Sequence, residues 1–120
     1  DKELLLSAFH ETTKQAGYYK LNLKDGKLTK LLMSDHRYSF TAKAKQANQL
    51  LFTRESFREY PDVWTTDLSF TAPRKLTEAN PQMKNYLWGS VERVRWTSLD
   101  NIPLEGLLYK PEGFDPKKKY

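Results

Sequence analysis

Cysteine is absent from this chain of 120 residues. Its absence excludes a disulfide framework, a thiolate zinc site and a cysteine nucleophile. Long hydrophobic runs are missing as well, and no stretch approaches the roughly 20 apolar residues that cross a bilayer as a helix. We therefore predict no membrane span. The composition is compatible with an oxidising or a reducing compartment.

The motifs of common catalytic sites are also lacking. No G-x-S-x-G nucleophile elbow occurs, since the Gly89-Ser90 pair is followed by Val91. Neither H-E-x-x-H nor a glycine-rich phosphate loop is present, so no catalytic residue and no cofactor are assigned. The segment Ser34-Asp35-His36 contains the residue types of a triad, but consecutive residues of an extended chain point in different directions, which favours a polar loop.

Metal and nucleic-acid sites have little support in the sequence. The two histidines, His10 and His36, lack the short ligand spacing of a metal site, so ordinary loop residues are the preferred interpretation. The net charge of +5 includes three consecutive lysines at 117–119, and without them 5 − 3 = +2 remains. No nucleic-acid recognition motif is present, and we predict a solvated basic surface.

Short β-prone runs dominate the chain, which is 38% hydrophobic and 13% aromatic. An Asp25-Gly26 pair between the second and third runs predicts a tight type I′ hairpin turn. No long amphipathic helix is predicted, since the best candidate, 53–60, is short and stops at Pro61. The predicted strands are 3–9, 18–23, 27–32, 38–45, 49–54, 63–68, 73–77, 90–98 and 104–110.

A weak repeat relates residues 45 positions apart. The shift places Tyr19 on Trp64 and Leu23 on Leu68, and a period near 45 is typical of four-stranded propeller blades. The first copy then lacks its first strand. The hairpin predicted after Pro81 does not follow this frame and indicates a different domain.

The segment 76–120 resembles the junction between propeller and hydrolase domain in the prolyl oligopeptidase family of serine peptidases, especially its dipeptidyl-peptidase-like bacterial members. The resemblance implies that 1–80 are the C-terminal blades of a propeller and 81–120 a linker with the first strands of a hydrolase domain. It also implies that the catalytic triad lies downstream and that the compartment is periplasmic or secreted. The matching residues are Leu76-Thr77, Asn80-Pro81, Trp96, Asp100-Asn101, Leu104-Glu105-Gly106, Tyr109-Lys110-Pro111 and Phe114-Asp115.

We therefore predict an all-β fold: an antiparallel partial β-propeller of about one and a half blades, plus a β-hairpin that begins an α/β-hydrolase domain. The chain is expected to be a non-catalytic fragment of a serine exopeptidase or oligopeptidase whose propeller gates peptide substrates. Its expected partners are the remainder of the parent chain and, for the parent, peptide substrates. Unpaired strand edges also predict self-association of the fragment. The alternative is a free-standing β-sandwich module that binds peptide or carbohydrate through exposed aromatic residues.

Strand direction predicts which loops lie together. Loops 10–17, 33–37 and 55–62 should share the end from which the chain leaves the blades, with the Asp25-Gly26 turn at the opposite end. The charge run at 54–59 has two open interpretations, a solvated loop with weak ion pairs or a patch that contacts a ligand or a neighbouring domain. The candidates for substrate-lining or domain-interface residues are His10, His36, Arg54, Glu55, Arg58 and Glu59.

Overall fold

The computed structural model describes residues 2–120 and consists of two compact units, Asp1–Asn80 and Pro81–Tyr120. Both units are built from antiparallel strands, and no α-helix occurs within the described residues. The predicted all-β antiparallel class is confirmed. The strand-rich sequence, with its frequent β-branched and aromatic residues, explains why ladders form in place of helices.

The first unit contains two antiparallel sheets in which every strand pairs with its neighbour along the chain. The strands are β1 (Glu3–Phe9), β2 (Ala16–Asn22), β3 (Leu28–Ser34), β4 (Arg37–Lys43), β5 (Leu50–Ser56), β6 (Glu59–Thr66) and β7 (Arg74–Lys75). One sheet has the order β1-β2-β3 and the other the order β4-β5-β6-β7. By sheet order β1, β2 and β3 correspond to β5, β6 and β7, and within residues 2–120 no strand takes the place of β4 beside β1.

The second unit begins with a short 3-10 helix, Pro81–Asn85, and continues as a two-stranded hairpin of β8 (Ser90–Thr97) and β9 (Pro103–Lys110). The pairing is regular from Ser90 opposite Lys110 to Thr97 opposite Pro103. One face of the hairpin carries an apolar patch whose side chains remain substantially exposed, with Trp96 at 50%, Leu104 at 39% and Leu108 at 43%, and the ion pair of Glu92 and Lys110 lies on the same face.

An aromatic cluster forms the core of the first unit. The ring of Tyr18, from β2, stacks on Phe70 at 4.9 Å between centroids and meets Phe52, from β5, edge-on at 6.4 Å. Phe52 also stacks against Trp64 of β6. Aromatic pairs at such separations add about 0.5–1.5 kcal/mol each to the burial of their apolar area. The cluster therefore joins the two sheets.

A β-bulge in β3 shapes the first sheet where it meets this core. Tyr18 pairs with Leu32 and Tyr19 with Lys30, which leaves Leu31 as an extra residue. Consecutive strand residues normally point to opposite faces, but a bulge bends the strand and redirects side chains. Leu31 and Leu32 consequently both pack against the aromatic cluster.

The turn between β2 and β3 is longer than predicted. The amide of Asn22 donates to the carbonyl of Lys27 at 2.9 Å, and the amide of Gly26 donates to the carbonyl of Asn22 at 3.0 Å. Gly26 has a φ of 70°, whereas Asp25 is not in the left-handed region, so the two-residue type I′ turn was a wrong prediction. The side chains of Asn22 and Asp25 accept amide hydrogens two residues on, which stabilises the wider turn.

The segment 53–60, the best candidate for a helix, is extended. It forms the end of β5, a two-residue turn and the start of β6. Pro61 lies in β6 beside an irregularity in the register, which shifts between Arg54 and Ser56 of β5. A proline has no amide to give to a ladder, and irregular positions are where strands accept one.

Replacing Gly26 by alanine is expected to lower the free energy of unfolding by about 1 kcal/mol. An added Cβ would meet no atom within 4 Å, so the cost comes from the left-handed backbone alone. Urea denaturation with an unchanged m value measures it. Gly26→Asn is the matched control and should cost clearly less, because asparagine tolerates this conformation. Equal losses for the two variants would contradict this account of the turn.

Candidate functional site

The turns after β3 and after β5 bring a group of polar side chains together in the first unit. Arg37 at the start of β4 pairs with Glu55 at the end of β5, because antiparallel neighbours place these two ends side by side. The loops 33–37 and 55–62 therefore lie together, as strand direction predicts. We call the group the loop-end cluster, and its members are Ser34, His36, Tyr38, Arg54, Glu59 and Trp64.

His36 lies at the centre of the loop-end cluster. Its Nδ1 lies 2.8 Å from Ser34 Oγ, and its Nε2 lies 3.2 Å from a carboxylate oxygen of Glu59. Tyr38 extends the chain of contacts, since its hydroxyl lies 2.7 Å from Ser34 Oγ. A carboxylate only accepts, so the contact with Glu59 places a proton on Nε2 of His36. In the neutral ring Ser34 then donates to Nδ1, and Tyr38 donates to Ser34.

Glu59 connects His36 to an arginine on the neighbouring strand. The second carboxylate oxygen of Glu59 accepts a hydrogen bond from Arg54 Nε at 2.7 Å. The guanidinium of Arg54 lies over the ring of Trp64, 3.8 Å from its centroid. Charge-assisted hydrogen bonds and cation–π contacts of this kind are each worth about 1–3 kcal/mol when partly buried. The β3–β4 turn and the β5–β6 turn are thus held to each other.

The order serine, histidine, carboxylate invites comparison with a catalytic triad. Here the ring nitrogens are exchanged, since serine lies at Nδ1 and the carboxylate at Nε2. Ser34 ends strand β3 and is not at a strand-to-helix turn. The sequence-based expectation that residues 34–36 diverge is correct for the exposed Asp35 but wrong for Ser34 and His36. Residues 35 and 36 form the bend between β3 and β4, and this bend brings the side chains of Ser34 and His36 together.

Two of the other predicted site residues, Glu55 and His10, contact residues outside the loop-end cluster. Glu55 pairs with Arg37 at 3.3 Å. His10 accepts a hydrogen bond from the amide of Thr13 within its own turn. Arg58, between β5 and β6, lies in the same turn region as Glu59. The role of all six candidates in lining a substrate path or an interface stays a prediction.

A buried carboxylate that the sequence analysis missed anchors the chain where it leaves β7. Asp62 is 2% exposed. One of its oxygens accepts hydrogen bonds from Thr77 Oγ1 at 2.6 Å and from the amide of Ala79 at 2.8 Å, and the other lies 2.7 Å from Lys75 Nζ. Asp62 lies on the same face of β6 as the buried Thr66, and a charged residue in such a position is normally paired.

The pKa values of this anchor follow from its contacts. Burial by itself raises the pKa of the Asp62 carboxyl, but the hydrogen bonds from Lys75, Thr77 and Ala79 together outweigh it and hold that pKa below the ordinary aspartate value. The hydrogen bond to Asp62 in turn raises the pKa of the Lys75 ammonium, against a smaller opposing effect of desolvation. Both groups are therefore charged at neutral pH.

Neither a metal-binding cluster nor a membrane-spanning helix occurs in the described part of the chain. Across residues 2–120, no three histidine, aspartate or glutamate side chains are grouped so that they would hold a metal ion. No helix in that range is long and apolar enough to cross a bilayer.

Comparison with known proteins gives one structural relative. No family model and no curated protein matches the chain. Among solved structures, the chain resembles the AtxE2 isopeptidase, determined as a serine-to-alanine variant with astexin3-dC4 bound. The TM-score is 0.70 at 18% identity, and the match covers 98% of this chain and 18% of that protein. The chain thus spans about a fifth of the length of the protein it resembles, and the likeness establishes the fold.

This comparison corrects the family named from the sequence. The assignment to the prolyl oligopeptidase family as a dipeptidyl-peptidase-like fragment is wrong, because the structural relative is an isopeptidase and no family model supports the assignment. The matching residues of 76–120 fall on the linker, the hairpin and a terminal loop. Exposed hairpins of many proteins contain aromatic residues, prolines and Asp-Asn turns. Such residues therefore do not distinguish one peptidase family from another.

Proposed function

We propose that the chain is a non-catalytic β-sheet segment of a larger protein that hydrolyses peptide or isopeptide bonds. In this proposal the two sheets of the first unit are adjacent propeller blades that restrict access of peptide substrates, and the second unit contacts the catalytic domain. The observation that carries it is the likeness of nearly the whole chain to part of an isopeptidase. A three-stranded and a four-stranded meander with equivalent orders fit adjacent blades.

The exposed hairpin supports a partner for the second unit. A two-stranded hairpin is at best marginally stable in water, and contiguous exposed apolar side chains mark interaction surfaces. Trp96, Leu104 and Leu108 share one face of β8 and β9 and remain open to solvent. A free-standing β-sandwich module would bury such a face, so the catalytic domain of the same protein is the partner we propose.

The loop-end cluster fits a structural role in this proposal. Its polar side chains form hydrogen bonds and an ion pair with one another, in a series that runs from Tyr38 through Ser34 and His36 to Glu59 and Arg54. Such a network fixes the relative position of two turns. We propose that it holds these turns in place at the end of the sheets that faces the catalytic domain.

The 120-residue chain by itself is expected to hydrolyse neither an aminoacyl chromogenic ester nor a peptide closed by an isopeptide bond. Ser34 lies near a histidine, but hydrolysis also needs hydrogen-bond donors that are already positioned around the substrate carbonyl oxygen, where negative charge develops. Release of chromophore and cleavage followed by mass spectrometry measure this. Turnover that disappears in Ser34→Ala or Ser90→Ala would overturn the non-catalytic assignment.

The same proposal has a second test, in the larger peptide-hydrolysing protein that it requires. That protein is expected to cleave the peptide, and Leu108→Asp on the apolar hairpin face should lower its rate by about tenfold or more, since a charge in a buried interface costs several kcal/mol. Thr97→Asp, on the opposite face of the same hairpin, is the matched control and should have little effect. Equal effects of the two substitutions would contradict a domain contact through the apolar face.

A further inference from the structure

The hydroxyl group of Ser34 lies between a titratable ring and a second hydroxyl group. Its Oγ is 2.8 Å from Nδ1 of His36 and 2.7 Å from the hydroxyl oxygen of Tyr38. A serine hydroxyl has one hydrogen to donate and can accept two. Ser34 can therefore donate to His36 or to Tyr38, but not to both at once.

The imidazole of His36 is held so that only one of its nitrogens changes its protonation. Nε2 faces the carboxylate of Glu59 at 3.2 Å, and Arg54 fixes that carboxylate through its other oxygen. Since a carboxylate only accepts, Nε2 keeps its hydrogen in the neutral and in the charged ring. The proton that charges the ring is therefore gained and lost at Nδ1, the nitrogen that faces Ser34.

The neutral ring sets one direction for the hydrogen bonds. Nδ1 then has a lone pair and no hydrogen, so it accepts from Ser34, and the oxygen of Ser34 accepts from Tyr38. Both hydroxyl groups donate towards His36.

The charged ring does not permit this direction. Nδ1 then carries a hydrogen that it donates to the oxygen of Ser34, so the hydrogen of Ser34 has to leave this nitrogen. The other polar atom that the structure places beside it is the hydroxyl oxygen of Tyr38. A donation from Ser34 to Tyr38 requires that the hydrogen of Tyr38 turn away from Ser34.

The surroundings of His36 leave it as the group that changes charge near neutral pH. Histidine is the side chain that ordinarily does so between pH 5 and 8. Tyr18 of β2 faces Tyr38 at 6.0 Å between ring centroids, and burial, with a smaller effect of Tyr38, raises the pKa of Tyr18 above that range. The charged side chains at this end of the first unit are three of each sign: Asp35, Glu55 and Glu59, and Arg37, Arg54 and Arg58.

We propose that protonation of His36 reverses this series of hydrogen bonds, so that Ser34 changes from a donor to His36 into a donor to Tyr38 and the hydroxyl hydrogen of Tyr38 turns away from Ser34. The proton comes from solvent, and no covalent bond between heavy atoms forms or breaks. In the charged state the contact of His36 with Glu59 is also an ion pair. The first unit thus contains a pH-sensitive switch that connects the β3–β4 turn to a hydroxyl group on β4. Its contacts lie within the first unit, and it does not depend on the proposed function.

Nuclear magnetic resonance of the 120-residue chain tests both ends of the series between pH 5 and 8. Histidine is labelled with ¹⁵N in the ring and tyrosine with ¹³C at Cζ, a carbon whose chemical shift responds to whether the hydroxyl donates or accepts. At the upper end of the range His36 should carry its hydrogen on Nε2. As the pH falls, the Tyr38 signal should shift with the same midpoint as the His36 signal. A His10→Gln variant assigns the ring signals, because the chain has two histidines.

Removal of the serine hydroxyl should separate the two ends. In Ser34→Ala, His36 still titrates, but most of the Tyr38 shift should be lost, because the hydroxyl that connects them is gone. Ser34→Thr retains a hydroxyl group and should retain the Tyr38 shift. The matched control is Ser39→Ala, an exposed serine on β4 next to Tyr38, and it should leave the shift unchanged.

Three results would overturn the proposal. A Tyr38 signal that stays constant in the native chain while His36 titrates would exclude the reversal, whether or not the variants fold. A neutral His36 with its hydrogen on Nδ1 would contradict the starting direction. An equal Tyr38 shift in the native chain and in Ser34→Ala would mean that Tyr38 responds to the charge of His36 through space and not through Ser34.

Discussion

Replacement of Gly17 by alanine is expected to lower the free energy of unfolding by at least about 3 kcal/mol, at the upper end of the cost of overpacking. Gly17 is buried in β2 directly opposite Met33, next to the bulge in β3. A Cβ at this position would overlap the carbonyl oxygen of Leu32 and would also crowd its carbonyl carbon at 2.7 Å. Backbone atoms cannot rotate away as a side chain does, so the β2–β3 pairing has to open. Thermal and urea denaturation measure the loss.

Gly113→Ala is a control for this prediction, because an added Cβ there meets no atom within 4 Å. The only expected cost of Gly113→Ala is the backbone strain of its positive φ, which lowers the free energy of unfolding by about 1 kcal/mol. The same loss is expected for Gly26→Ala. If Gly17→Ala were as stable as Gly113→Ala, β2 and β3 would have to separate at no cost. This result would refute the close approach of Gly17 to the carbonyl group of Leu32.

The second large effect is expected at Asp62. Asp62→Ala should destabilise the first unit by about 2–4 kcal/mol, because it removes a buried carboxylate together with the hydrogen bonds that it accepts, and hydrogen bonds to a charged group are worth about 1.5–3 kcal/mol each. The substitution leaves Thr77 Oγ1 and the amide of Ala79 without their acceptor and Lys75 without its counter-charge. The strand β7 and the chain that follows it should detach first, and increased proteolysis after Lys75 reports this.

The contribution of Asp62 depends on pH in a defined direction. Its pKa is lower in the folded chain than in the unfolded chain, so its stabilising effect is fully present above the ordinary aspartate pKa near 4 and is lost as the pH falls through the folded value. The pKa of Lys75 is raised, so its effect is present below the ordinary lysine pKa near 10.4 and is lost as the pH rises through the folded value. The acid limb of the stability profile should therefore flatten in Asp62→Asn.

Glu55→Ala provides the matched control for Asp62→Ala. Glu55 also pairs with a basic side chain, but its partner Arg37 is largely exposed, and such pairs contribute only about 0–1 kcal/mol. A double-mutant cycle with Lys75→Met separates the ion pair from the hydrogen bonds of Thr77 and Ala79. Similar losses for Asp62→Ala and Glu55→Ala would contradict the burial of the anchor.

Local sequence patterns predicted the strands well, because hydrophobic alternation and turn residues act over short distances. The bounds 3–9 match β1, and 90–98 and 104–110 differ from β8 and β9 by one residue. The run 73–77 proved too long, since Pro73 has no amide to donate and only Arg74–Lys75 forms a ladder. No helix was predicted at 53–60, and this segment is extended, since its residues in β5 pair with β4 and β6.

The loop-end cluster and the Asp62 anchor depend on distances that no local pattern encodes. His36 and Glu59 were both candidates, but their contact and the stacking of Arg54 on Trp64 arise only when three strands come together. The contact between Ser34 and His36 was missed because an extended chain was assumed for residues 34–36, whereas residues 35 and 36 form the bend between β3 and β4. Asp62 was missed because a charged residue in a strand gives no sign, by itself, of which face is buried.

The aromatic cluster has a consequence for the order of folding. Each sheet is a meander whose strands pair with their neighbours along the chain, so each can begin from local hairpins, which close in about 1–10 μs. Contact between Tyr18 and Phe70 requires residues far apart in the sequence and both sheets. Docking of the sheets through these rings is then the step with the largest loop-closure cost, and it sets the folding rate of the first unit. Truncation of Phe70 is expected to weaken this docking, while the contact of Tyr18 with Phe52 and the hydrogen-bonded ladders of both sheets remain.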